Sequence, residues 1–149
     1  MAVIRLARED DIPRILELYS QLTITTSQAE QHRNPGEFQQ VFTKINAFPG
    51  HELVVAEDKG EVIGTLVLLI IPNLSHNALP WALVENIIVD REYQRRGIGK
   101  LLMDYAIARA KEVGCYKISL SSDKRRKEAH KFYRSLGFKA SAHGFRLYF

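Results

Sequence analysis

With a single cysteine among its 149 residues, Cys115, the chain can form no internal disulfide and cannot hold a metal through a cysteine cluster. Placed between Gly114 and the apparent strand Tyr116–Leu120, Cys115 reads as a small core residue rather than a nucleophile. Long apolar runs are missing as well. The longest, Val62–Ile71, falls well short of the roughly 20 residues that span a bilayer. Met1-Ala2-Val3-Ile4-Arg5 lacks a signal peptide's basic segment followed by a long apolar stretch. A cytoplasmic protein with no membrane partner is therefore expected. Neither a His-x-x-x-His pattern nor a carboxylate cluster at ligand spacing occurs, so no metal is expected. Repeats, low-complexity tracts and linkers are absent, which predicts one domain over residues 1–149.

Acidic residues thin out towards the C-terminus. Residues 1–90 hold 6 Lys/Arg and 12 Asp/Glu, a formal charge of −6, whereas residues 91–149 hold 15 and 5, a formal charge of +10. Such a basic half, with the run Lys124-Arg125-Arg126-Lys127, suits nucleic acid or a multiply charged anionic ligand. Cations at the start of a helix oppose its dipole, and that placement favours a small anion nearby over nucleic acid.

What the chain does have is a glycine loop. Gln94-Arg95-Arg96-Gly97-Ile98-Gly99 lies between the apolar run Leu83–Val89 and a helical stretch beginning at Lys100. A helix start presents unpaired N–H groups and partial positive charge, and anions dock there. Gly97 and Gly99 let the backbone approach a pyrophosphate, while Arg95, Arg96 and Lys100 add positive charge. A nucleoside-triphosphate P-loop is excluded because Leu101, not Ser or Thr, follows Gly99-Lys100 and no glycine stands at position 94. A dinucleotide fingerprint fails because Leu102 occupies the third glycine's place.

Periodicity and punctuation predict the scaffold. A strand over Ala2–Leu6 is followed by a helix from Asp10-Asp11-Ile12-Pro13 to about Leu22, with Ile12, Ile15, Leu16, Tyr19 and Leu22 on one stripe. Thr23–Gly36 reads as a loop and Glu37–Phe48 as a helix stopped by Pro49-Gly50. Strands His51–Glu57 and Val62–Ile71 form a hairpin through Asp58-Lys59-Gly60, and Pro72–Pro80 is a loop. A strand over 82–89, a helix over 99–113 capped by Gly114, a strand over 116–121, a helix over 125–136 capped by Gly137 and a strand around Phe145–Phe149 complete the order. The fold class is α/β, a mixed sheet flanked by helices, in which strands 82–89 and 116–121 run parallel through a right-handed crossover.

The stretch Glu85-Asn86-Ile87-Ile88-Val89-Asp90, the loop Tyr93-Gln94-Arg95-Arg96-Gly97-Ile98-Gly99 and Leu101-Leu102 resemble motif A of the GNAT-type N-acetyltransferases. Ala129-His130-Lys131-Phe132-Tyr133 with Leu136-Gly137-Phe138 is similar to that family's motif B. One position departs, for Arg126 stands where many members carry asparagine. The resemblance implies acetyl-CoA as cosubstrate, its pyrophosphate held by Gln94, Arg95, Arg96, Gly97, Ile98, Gly99 and Lys100. It also implies that the two parallel strands splay, so that freed backbone groups of Ile87, Ile88 and Val89 bond the pantetheine arm.

Acetyl transfer to an amine needs a neutral amine, a stabilised oxyanion and a proton for the departing thiolate. Tyr133 resembles the family tyrosine that acts as general acid, although as a residue type it also suits the buried face of its helix beside Ala129, Phe132 and Leu136. Glu85, ionisable within an apolar strand, is the candidate base, directly or through water, with a solvated edge carboxylate as the other reading. Strand alternation sends Asn86 to the opposite side from Glu85. The oxyanion would meet a backbone N–H near Ile88. His51, His76, His130 and Trp81 carry less weight as site residues than as packing or surface groups.

The acceptor pocket is expected around residues 20–40 and 72–80. Lys124–Tyr133 resembles the aminoalkylphosphonate acetyltransferases, and Gly114-Cys115-Tyr116-Lys117-Ile118 resembles the glucosamine-phosphate acetyltransferases. A small-molecule primary amine is the expected acceptor, its identity open. A protein or peptide acceptor, or a non-catalytic acyl-CoA sensor, are the alternatives, and a homodimer is possible.

Overall fold

A computed structural model of the chain describes residues 1–22 and 34–149. The expected loop Thr23–Gly36, and much of the expected acceptor region, lie largely outside the described residues. The described residues fall into two compact units, Met1–Ser119 and Leu120–Phe149.

The sheet is mixed and runs in the order β1-β2-β3-β4-β5, built from β1 (Val3–Leu6), β2 (His51–Asp58), β3 (Glu61–Ile71), β4 (Trp81–Val89) and β5 (Ile118–Leu120). The first four pair antiparallel, with Ile4 opposite Ala56, Val54 opposite Leu66 and Leu68 opposite Val84. The β2–β3 hairpin closes through Lys59 and Gly60 at φ +50° and +81°, the left-handed pair that matches strand twist. β4 and β5 run parallel, and the hydrogen bonds Tyr116 N–H to Pro80 O and Ala82 N–H to Lys117 O, both 3.0 Å, join their approaches.

Helices α1 (Ile12–Ser20), α2 (Pro35–Ala47) and α3 (Ile98–Val113) pack on this sheet. Ile15 and Leu18 of α1 are buried against Val55, Val62 and Ile88. α3 takes the other face, because Gly64, paired with Ala56 next to Val55, meets Ile98 and Leu102. A Cβ at Gly64 would stand 3.2 Å from both Ile88 O and the Leu102 side chain, so the absent side chain sets how closely α3 approaches β3. Thr65, fully buried among these apolar residues, donates its hydroxyl proton to Val54 O at 2.8 Å.

Several boundaries move from expectation. α1 follows a 3₁₀ turn at Glu9–Asp11, where Asp11 accepts from Arg8 N–H at 2.7 Å and from Arg5. Within 72–80, His76, Asn77 and Ala78 take φ of +51°, +62° and +63°, a left-handed turn that an unpatterned run does not announce. Strand 116–121 shrinks to Ile118–Leu120. In the second unit α4 spans Lys127–Ser135, with Arg126 at its N-cap. The expected strand at Phe145–Phe149 is corrected, since these residues take no strand pairing and Phe145 and Phe149 are 94% and 107% exposed. A strand is defined by its partner, and an alternating pattern alone does not supply one.

Candidate active site

The middle of β4 is where the sheet stops being regular. Glu85 pairs with Val67 and Ile88 with Thr65, so Asn86 and Ile87 together oppose Leu66 in a β-bulge. Asn86 sits at φ +51°, a conformation that asparagine tolerates better than most residues. Glu85 and Asn86 are both exposed at the bulge. Glu85 is thus a solvated carboxylate rather than one desolvated within an apolar strand. The Asn86 side chain also hydrogen-bonds the Tyr19 hydroxyl of α1, and burial pushes that phenol's pKa up.

Beyond the bulge Ile88 is buried in the core against α1, while Ile87 and Val89 are half-buried. The chain then turns at Asp90, which is only 7% exposed. Its carboxylate accepts from Glu92 N–H at 2.9 Å and from the Arg14 guanidinium, and its pKa is lowered, chiefly by the Glu92 amide. Gln94 reaches back to Val89 O at 3.2 Å.

The glycine loop itself is open. Arg95 takes φ +64° and Gly97 φ +82°, and a Cβ at Gly97 would meet nothing within 4 Å. Gly97 is the N-cap of α3 and supplies no side-chain hydrogen bond, so the first amides of the helix keep their capacity to bind an anion. Gln94, Arg95, Arg96 and Gly97 are exposed, Gly99 is half-buried, and Ile98 turns its side chain into the core. Arg96 lies 5.2 Å from the centre of the Tyr93 ring, and Lys100 pairs with Asp104 at 2.7 Å along the helix.

Near the β4 entry His76 stacks on Tyr116 at 3.9 Å, and Lys117 Nζ lies 5.0 Å from the Trp81 ring centre. His51 Nε2 is buried with no hydrogen-bond partner, and burial lowers its pKa, so its ring is neutral at physiological pH.

In the second unit Tyr133 is 8% exposed within α4, its ring 6.2 Å from Phe138. Burial raises the Tyr133 pKa, and the Arg126 charge opposes that shift only in part. The phenol therefore keeps its proton at neutral pH and above. His130 Nε2 and Asp123 O are 2.8 Å apart, and Asp123 also pairs with Arg125, so this histidine ties the loop before α4. Among the described residues no cluster of His, Cys, Asp and Glu could hold a metal, and no helix is long and apolar enough to cross a membrane.

An open, glycine-capped helix start after a bulged strand, followed by a buried tyrosine near a Gly-Phe turn, matches a known family model. The model of the acetyltransferase (GNAT) family covers residues 12–138. The chain belongs to the GNAT family, and with it to the acetyl-CoA-dependent N-acetyltransferases. A Drosophila melanogaster protein named "Probable glucosamine 6-phosphate N-acetyltransferase" is 32% identical over 140 residues, which cover 92% of this chain and 60% of that one. Among solved structures, one titled a transcriptional regulator from Bacillus halodurans C-125 is 32% identical, with a TM-score of 0.91 and 100% of both chains covered. The glucosamine-6-phosphate N-acetyltransferase of Arabidopsis thaliana is 25% identical, with a TM-score of 0.86, covering 100% of this chain and 99% of that one.

Two features of this region carry no signal in the sequence. The bulge at Asn86 leaves no mark in an apolar strand, since any residue there reads as one more alternation. Arg14 lies 76 positions from Asp90, and helical periodicity does not name its partner.

Proposed function

We propose that the protein transfers the acetyl group of acetyl-CoA to the primary amine of a small molecule, by direct attack in a ternary complex and with the whole chain as one catalytic domain. The observation that carries this reading is the open α3 start behind Gly97, which suits the coenzyme pyrophosphate. Gln94 to Lys100 hold the phosphates, and backbone groups of Ile87, Ile88 and Val89 bond the pantetheine. The amine nitrogen attacks the thioester carbonyl, the oxyanion is met by a backbone N–H near Ile88, and the C–S bond breaks as Tyr133 protonates the leaving thiolate. Glu85, exposed to water beside the bulge, removes the amine proton through a water molecule.

The relatives named for glucosamine 6-phosphate support a phosphorylated amino sugar as the first candidate acceptor to try. A cationic C-terminal half of formal charge +10 suits both coenzyme A and such an acceptor. In this proposal the protein is cytoplasmic and has no metal, membrane or nucleic-acid partner. The exposed apolar side chains at Phe145, Leu147, Tyr148 and Phe149 support a homodimer.

Thiol release from acetyl-CoA tests the reading, run with amino sugars and their phosphates, polyamines, aminophosphonates, amino acids and lysine peptides, with each product weighed by mass spectrometry. Acetylated small amine is the expected result. An acetylated peptide would make the acceptor a protein, binding of acetyl-CoA without turnover would make the chain a sensor, and no binding would overturn the reading.

A further inference from the structure

Among the described residues, α1, its C-cap Gln21 and β3 supply much of what fixes the entry to the glycine loop from outside it. Arg14 donates through Nε to Val62 O at 2.8 Å and through its guanidinium to the Asp90 carboxylate, with Glu17 at 3.1 Å and Glu61 at 3.4 Å completing its shell. Gln21, the residue that caps the C-terminus of α1, accepts from Arg91 N–H at 3.1 Å and also bonds the Asp90 carboxylate. Asp90 N–H is held by Ile63 O at 2.8 Å, and the Tyr93 hydroxyl reaches Glu61 at 3.3 Å. The charges of Arg14 and Asp90 are 24% and 10% exposed at their side chains, so water screens them poorly and the pairing is geometrically demanding.

This arrangement is more than fold support. Four residues after Asp90 the chain must deliver Gln94 and then Gly97, whose left-handed turn aims the α3 amides outward. Anion binding by backbone amides depends on their direction, and small misplacements of positioned groups are costly. The loop has few restraints of its own, for Gly97 is open on its outer side and Arg95 and Arg96 are exposed. Its far end is held by Ile98 in the core, and its near end by Asp90, which α1 and β3 hold in turn.

We infer that α1 and its C-cap set the affinity of the coenzyme loop through Arg14 and Gln21, which act as positioning residues without touching the ligand. The inference rests on the acetyl-CoA reading given above. Tyr19, in the same last turn of α1, bonds Asn86 at the β4 bulge, so one helix steadies both the bulge and the loop.

Calorimetric titration with coenzyme A tests it on the full chain, together with thermal melting. Arg14→Met is expected to weaken coenzyme A binding by about ten-fold, Arg14→Lys to recover part of that loss, and Gln21→Ala to weaken binding by about three-fold with little change in melting. Arg109→Met is the control. It breaks an ion pair to Glu52 of similar length, 2.9 Å, in the same unit but away from the loop, so it should lower the melting temperature and leave the affinity unchanged. An Arg14→Met protein that folds and binds within two-fold of the parent overturns the inference, as does an Arg109→Met protein that loses affinity equally. Should Arg14→Met not fold, Gln21→Ala and Arg14→Lys decide by the same criterion. A parent protein that binds no coenzyme A overturns the acetyl-CoA reading itself, a result separable from failure of the variants alone.

Discussion

At Tyr133 the chemistry and the packing ask for the same state. Burial favours the neutral phenol, raising its pKa above the ordinary 10.0, and an acid that protonates a thiolate must enter the reaction with its proton on. Since ionisation removes the acid, turnover assigned to Tyr133 falls only on the far alkaline side, and the neutral range stays flat with respect to this group. Tyr133→Phe keeps the ring in its place beside Phe138 and removes only the hydroxyl, so kcat should drop by about a hundred-fold while coenzyme A affinity holds. A pH–rate profile checks both points, and an unchanged kcat would remove Tyr133 from the mechanism. Gly97 makes the opposite demand. Its φ of +82° strains any β-branched residue, yet a Cβ there touches nothing within 4 Å, so Gly97→Val should spare the core and weaken coenzyme A binding by at least about ten-fold. Calorimetry reads the first effect and melting the second.

The junction of α3 with β3 carries the element-scale consequence. Gly64 lets the helix start lie against the strand, where Ile98 and Leu102 approach within 3.3 Å of a virtual Cβ. Gly64→Val overpacks that contact and should cost about 1–3 kcal/mol in denaturant unfolding, with a loss of coenzyme A affinity because Ile98 opens the helix that receives the phosphates. Ordinary binding in a destabilised Gly64→Val protein would separate packing from function there. Such junctions explain which features the sequence disclosed. The hairpin at Lys59-Gly60, the helix ending at Gly114 and the glycine loop are local, each set by residues within a few positions, and each is where the pattern put it. The bulge at Asn86 depends on pairing with a strand that lies 20 positions earlier, since Ile87 and Asn86 share Leu66 as their opposite. Arg14 meeting Asp90 depends on how α1 crosses the sheet, which periodicity does not specify. The Phe145–Phe149 segment shows the converse, a strand-like alternation that remains unpaired.

That unpaired segment matters for the molecule as a whole. Phe145, Leu147, Tyr148 and Phe149 are 94%, 81%, 77% and 107% exposed, four large side chains within five residues. Scattered apolar residues on a surface are ordinary, but these four are clustered, with only Arg146 among them. Aromatic side chains bury about 150–250 Å² each when covered, so the three rings and one leucine given by each of two copies approach the roughly 1,200 Å² at which stable interfaces begin. The proposed homodimer, with each copy covering the other's C-terminal run, fits that arithmetic. Light scattering after gel filtration should return twice the chain mass for the full protein, and the variant ending at His143 should return the chain mass once, with lower solubility avoided rather than incurred because the apolar run is gone. A full-length protein that stays monomeric at tens of micromolar would leave the tail exposed in solution and remove the homodimer from the functional reading, while leaving the coenzyme site on α3 and β4 untouched.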